Sequence, residues 1–131
     1  MVDRSRDLQT FRLAALPSEV PFSSAVRVGD KVYVSGQIGH RRGQMRLVEG
    51  GLEAEARQAL DYMREALELA GSSLDGVIKC TVYFADIGDF RRFNEIYQEY
   101  FPNHLPARSG VEVQALALGP RVEVACIVVA G

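Results

Sequence analysis

Cysteine and histidine are scarce in this chain, and each scarcity narrows what the protein can be. Cys80 and Cys126 are the only cysteines among 131 residues. Both fall inside apolar, strand-like runs, so two buried thiols are the simpler reading than a disulfide. The two histidines, His40 and His104, have no second ligand at a metal-like spacing, and no metal site is expected. Long apolar runs are lacking as well: the longest, Val124 to Ala130, is too short to span a bilayer. Charge of one sign is lacking: the formal net charge is −2, which gives no electrostatic case for general nucleic-acid binding. No glycine-rich phosphate loop precedes a helix, so no nucleotide cofactor is expected. No nucleophile elbow or Cys–His pattern supports covalent catalysis. Met1 to Thr10 is polar and mixed in charge, without the apolar core of a signal peptide. Asp3 and Asp7 argue against a transit peptide, and the cytoplasm is the expected compartment.

What is present reads as one globular domain. The hydrophobic fraction is 47% and the charged fraction 24%, enough to build a core without disulfides or metals. There is no repeat, low-complexity tract or linker. Phe11 to Ala15 reads as a short first strand. Ala25–Val28 and Lys31–Ser35 are apolar runs around Gly29-Asp30, a two-residue hairpin signal because glycine tolerates positive φ. Gly36 to Gly51, rich in glycine and arginine, reads as loop. Leu52 to Ala70 is the clearest helix, with Leu52, Ala56, Ala59, Leu60, Met63, Leu67 and Ala70 on one stripe and Gly71 as its C-terminal cap. Val77 to Phe84 is β-branched and aromatic, hence a strand. Asp86 can cap a second helix that runs to about Phe101, with Pro102 closing it. Ser109 to Leu116 alternates as a half-buried strand, and Arg121 to Ala130 is a last strand, apolar on both faces and so central or covered by another subunit. The order suggests an α+β fold: a mixed sheet, both helices on one face, and a hairpin-like end. The other face needs cover, and self-association is the simplest source.

Three polar residues stand out. Asn94 lies on the apolar stripe of the second helix, where a buried amide needs partners; a tie to nearby backbone is an equally good account. Glu123 shares a strand face with Ala125, Ile127 and Val129. Pattern alone favours an exposed strand end paired with Arg121; the alternative is a partly buried carboxylate with a raised pKa, able to act as a base or anchor a water. Arg108 begins a strand after Pro106-Ala107. Its planar fork suits a carboxylate, but spacing alone favours a surface arginine or a pair with Glu112. Arg41, Arg42 and Arg46 form a basic loop with His40, read as solvated rather than as an RNA contact.

Beyond these residues, the chain resembles the Rid (YjgF-type) family of imine deaminases over roughly Pro21 to Val129. The resemblance rests on ordered motifs: Val28 to Ile38 with its Ser-Gly-Gln loop, Ala70 to Val77 at the end of the first helix, Asn94-Glu95-Ile96-Tyr97-Gln98-Glu99-Tyr100-Phe101, Pro106-Ala107-Arg108-Ser109 with Val111-Glu112-Val113, and Val122-Glu123-Val124. It implies a chorismate-mutase-like fold, assembled as a homotrimer around a central barrel, with active sites in clefts between neighbouring subunits. It implies hydrolysis of 2-imino acids to 2-keto acids and ammonia, without metal or cofactor. Arg108 would bind the substrate carboxylate and Glu123 would hold the attacking water. Asn94, Phe22, Ser35, Gly36 and Gly110 would shape the pocket. An imine is activated once protonated, so orientation, a held water and one proton relay suffice. This chain departs from the family pattern in four places. Phe22-Ser23 replaces a Tyr-Ser pair, Gly110 a cysteine, Leu116-Ala117 a Leu-Pro turn, and Glu55 a helix glutamine.

The leading reading is a deaminase of small 2-imino acids, such as 2-iminopropanoate and 2-iminobutanoate, and it requires Arg108 and Glu123 to face one cleft. A relative specialised for another enamine, such as an aminoacrylate, is the second, prompted by Phe22 and Gly110. A non-catalytic protein that binds a metabolite, a partner or RNA is the third. No membrane contact is expected.

Overall fold

The computed structural model describes residues 7–130; Asp3, part of the reading of the N-terminal stretch, lies outside them. Six strands form one sheet: β1 (Gln9–Phe11), β2 (Ala25–Val28), β3 (Lys31–Gln37), β4 (Val77–Phe84), β5 (Ala107–Glu112) and β6 (Val122–Val129). Two helices, α1 (Gly51–Leu69) and α2 (Phe90–Tyr100), connect β3 to β4 and β4 to β5. The strand order is β1-β2-β3-β6-β4-β5.

Local chemistry accounts for most of these elements. The β2–β3 hairpin closes with Val28 opposite Lys31, and Gly29 takes φ +59° as the turn demands. The expected stripe on α1 is buried: Ala56, Ala59, Leu60, Met63 and Leu67 all have relative exposure of 0%, against the face of the sheet carried by Val122, Val124, Cys126 and Val128. Asp86 does cap, but what it caps is a short 3-10 turn, Ile87–Asp89, by accepting from the Gly88 N–H. That turn leads straight into α2.

Three expectations need correction. The first strand is Gln9–Phe11, not Phe11–Ala15: β1 ends where Arg12 leaves the sheet to bind the segment that follows. The fifth strand is Ala107–Glu112, not Ser109–Leu116, and the alternation beyond Glu112 is only an echo of strand periodicity. The end is not a hairpin either. β5 runs parallel to β4, while β6 is inserted between β3 and β4 and antiparallel to both. Flanking strands put β6 at the centre of the sheet; one of its apolar faces is buried under the helices and the other is the face they leave bare.

Cys80 and Cys126 are register neighbours on β4 and β6, free and buried on the helical side. Burial raises both thiol pKa values, which keeps them protonated and unreactive. On the opposite face, Tyr33, Ile78 and Val111 are exposed and β6 contributes Ala125, Ile127 and Val129. Leu60→Ala should cost about 2–5 kcal/mol by opening a cavity under α1. Urea unfolding at constant m-value measures it, and a loss below about 1 kcal/mol would contradict the packing described.

Candidate active site

The sheet sorts the candidate residues into two groups. Arg108 stands beside Cys80 across the β4–β5 pair and, like Cys80, faces the helices. Its guanidinium carbon lies 4.8 Å from the Tyr97 ring centroid, 5.1 Å from Phe90 and 5.6 Å from Phe93. One N–H donates to Asn94 Oδ1 at 2.5 Å. The α2 stripe is therefore an aromatic cradle that holds a cation by its π faces, and Asn94 fixes the rotation of the fork. The tie between Asn94 and backbone does not form. Nor does the pair of Arg108 with Glu112, because Glu112 accepts from the Ile87 N–H at 2.9 Å. None of the ion pairs among the described residues involves Arg108. Gly110 lies two residues along the same face, where a Cβ would meet Phe90 at 3.3 Å and Phe84 at 3.4 Å. A glycine there leaves a narrow gap before those rings.

Glu123 belongs to the other face. Its neighbours on β6 alternate with the buried core residues, and its partner across β4 is Tyr83. It is half-buried, not an exposed strand end. The expected pair with Arg121 is absent, since Arg121 binds Asp89 at 3.1 Å and its backbone N–H donates to the buried Glu55 carboxylate at 2.8 Å. Glu123 lines a recess of about 540 Å³ together with Phe22, Ser35 and Gly36. Burial raises its pKa above the ordinary glutamate value. Gly36 makes this placement feasible: a Cβ there would overlap the carboxyl group, 2.7 Å from its carbon. Ser35 Oγ donates to Ser23 O at 2.6 Å, so that hydroxyl anchors the wall and does not point to a ligand.

Arg108, Asn94 and Gly110 thus gather on the helical side, and Glu123, Phe22, Ser35 and Gly36 gather on the other. Within one chain Arg108 and Glu123 do not share a cleft, because a strand sends them to opposite faces.

Sequence reasoning missed the wall of the recess. The segment Leu13–Phe22 forms part of it as a strap, lining the recess from Leu16 on and pinned by Arg12, which donates to the carbonyls of Pro17 (2.9 Å), Val20 (3.2 Å) and Phe22 (2.8 Å). Leu118, also lining the recess, has φ +71°. The following Gly119 and the paired Pro17 and Pro21 were the available signals. The basic loop is partly neutralised, with Arg41 on Glu49 and Arg42 on Glu65. Among the described residues no group of three or more His, Cys, Asp or Glu is placed to hold a metal ion, and no helix is long and apolar enough to cross a membrane.

A family model described as Endoribonuclease L-PSP matches residues 12–130. The chain is a member of this, the Rid family. A 2-iminobutanoate/2-iminopropanoate deaminase of Homo sapiens is 45% identical over 111 residues, 85% of this chain and 81% of that protein. One from Rattus norvegicus is 47% identical over 110 residues, 84% of this chain and 80% of that protein. The solved structure of yeast YEO7 superposes with a TM-score of 0.88 at 36% identity, covering 95% of this chain and 99% of that one. The α+β mixed sheet with two helices is thus the Rid fold.

In this Rid protein the buried Tyr97 hydroxyl has no oxygen or nitrogen partner among the described residues, and only the weakly bonding Cys80 thiol lies beside it. Removing an unsatisfied buried group relieves its desolvation penalty. Tyr97→Phe should therefore raise stability by about 1 kcal/mol, measured by urea unfolding. A loss of similar size would show that the hydroxyl is bonded after all.

Proposed function

We propose that this Rid protein hydrolyses 2-imino acids to 2-keto acids and ammonia, at sites shared between neighbouring subunits of a homotrimer. The observation that carries the reading is the likeness to 2-iminobutanoate/2-iminopropanoate deaminases over about four-fifths of each chain. The geometry supports the shared site. An arginine without an ionic partner among the described residues sits on one face, a half-buried carboxylate in a recess on the other, and the face that carries the carboxylate is bare and needs cover. Closed rotational packing brings different faces of two copies together, so one copy's Arg108 can meet another's Glu123.

The chemistry follows from these groups. Arg108, steadied by Asn94 and the aromatic cradle, takes the substrate carboxylate in a two-pronged grip. That fixes the C=N carbon near Glu123. The carboxylate orients a water and accepts its proton as the oxygen adds to the carbon. The carbinolamine then collapses to the 2-keto acid, and the returned proton leaves with ammonia. A protonated imine is a strong electrophile, so positioning and one proton relay account for the acceleration. The two buried free thiols suit a reducing compartment, in keeping with a cytoplasmic setting.

Imines generated in situ by an amino-acid oxidase, with their loss followed, test the activity. Arg108→Ala should lower kcat/KM by about a hundredfold, and Glu123→Gln by a hundredfold or more. Wild-type activity should fall as pH drops through the raised Glu123 pKa. That acid limb lies above the ordinary glutamate range and is absent in Glu123→Gln. Full activity in Arg108→Ala would sink the reading. Subunit sharing has its own test. Arg108→Ala and Glu123→Gln chains, unfolded and refolded together in equal amounts, should recover about a quarter of wild-type activity, because each mixed boundary of one orientation is intact. No recovery would place each site within one subunit.

A further inference from the structure

We propose that the recess behind Glu123 receives the substrate side chain and selects 2-imino acids whose side chains are bulky and apolar. This rests on the deaminase reading and extends it to specificity. The recess has one polar end. Ser35, Gln37 and His40 reach it, but each spends a polar atom internally: Ser35 on Ser23 O, Gln37 on Ser35 O at 2.9 Å, and His40 Nδ1 on Arg41 O at 2.8 Å. The Glu123 carboxylate has no hydrogen-bond partner among the described residues, so it is the anionic group of the lining left to meet a ligand. Apart from Gln44 the remaining wall is apolar, with Leu16, Val20, Phe22, Met45 and Leu118.

Three of those side chains are more exposed than apolar residues usually are: Phe22 at 49%, Leu118 at 47% and Met45 at 44%. They come from three separate segments and line one cavity. Exposed apolar groups that converge in this way mark a binding surface. Leu118 also holds a left-handed backbone, φ +71°, a conformation that leucine rarely adopts. The walls are fixed in place. Arg12 binds three strap carbonyls, and Gly43 N–H donates to Ala15 O at 2.6 Å, tying the arginine-rich loop to the strap. At about 540 Å³ the recess has far more room than a methyl or ethyl group fills, and it falls in the size range of ligand pockets. With the carboxylate held by a neighbour's Arg108 and the C=N carbon beside Glu123, the third substituent of that carbon has this apolar recess to enter. Phe22 adds to the effect, since its ring brings no hydroxyl.

The experiment compares imines made in situ from alanine, leucine and phenylalanine, using the full-length protein. Wild type should turn over the leucine- and phenylalanine-derived imines with kcat/KM at least about tenfold above the alanine-derived one, the size of effect that buried methylenes confer. Leu118→Gly, which relaxes the backbone while emptying the wall, should reduce that ratio about tenfold. Met45→Ala should reduce it in the same direction. Arg12→Ala, which frees the strap, should raise KM for the leucine-derived imine more than for the alanine-derived one. Equal kcat/KM across the panel, or an unchanged ratio in both Leu118→Gly and Met45→Ala, would overturn the inference and leave the deaminase reading standing. A changed assembly mass in Leu118→Gly, read by light scattering, would assign the recess to a subunit contact instead and overturn it too. If wild type turns over no imine, the deaminase reading fails and this inference falls with it.

Discussion

A β-strand alternates its side chains between two faces, and in this protein that alternation sets what one chain can do alone. β5 and β6 flank β4, in unbroken register from Lys79 to Phe84. The register commits Arg108 to the helical side, beside Cys80, and Glu123 to the other side, across from Tyr83. A shift by one residue would unite them, but it would also turn Val122, Val124, Cys126 and Val128 out of the core. The hydrophobic gain of that core outweighs the convenience of a single-chain site. The separation of the two groups is therefore a consequence of folding, and the proposed shared site answers it with a second copy.

The helical side is organised around the same guanidinium. Phe90, Phe93 and Tyr97 recur along α2 at helical spacing, as a buried stripe would, yet three of their π faces meet Arg108. Packing and cation binding thus use the same residues. Asn94 interrupts the stripe with an amide, and that amide takes the arginine's N–H. The cradle brings no negative charge, so the cation stays available to an anion from outside.

Much of the fold was legible in the residues. The α1 stripe, the Gly29-Asp30 turn and the β-branched run at β4 each carry a local signal with one reading. The position of β6 was less so. Apolarity on both faces announced a central strand, but nothing in Val122–Val129 says which strands flank it, because pairing partners are chosen by the whole sheet. Of the candidate site, Arg108, Asn94 and Glu123 were conspicuous as polar residues in apolar company. Their partners were not: spacing pointed to Glu112 for Arg108 and to Arg121 for Glu123, whereas backbone N–H groups and Asp89 claimed those roles. The strap was hidden for a different reason. Its order comes largely from contacts to backbone carbonyls, three from Arg12 and one from the Gly43 N–H, and a pattern of side chains carries no record of carbonyl geometry.

That clasp has an evolutionary consequence. Ala15 and Pro17 seat the strap in the interior and Leu13 packs against the core, but the grip of Arg12 is on carbonyl oxygens, which every residue type provides. Substitutions at its exposed positions, Ser18, Glu19 and Phe22, can therefore change the surface of the strap while the interior beneath α1 stays untouched. Arg12 holds the course of those exposed positions without reading their side chains, so that they can diversify apart from the survival of the fold.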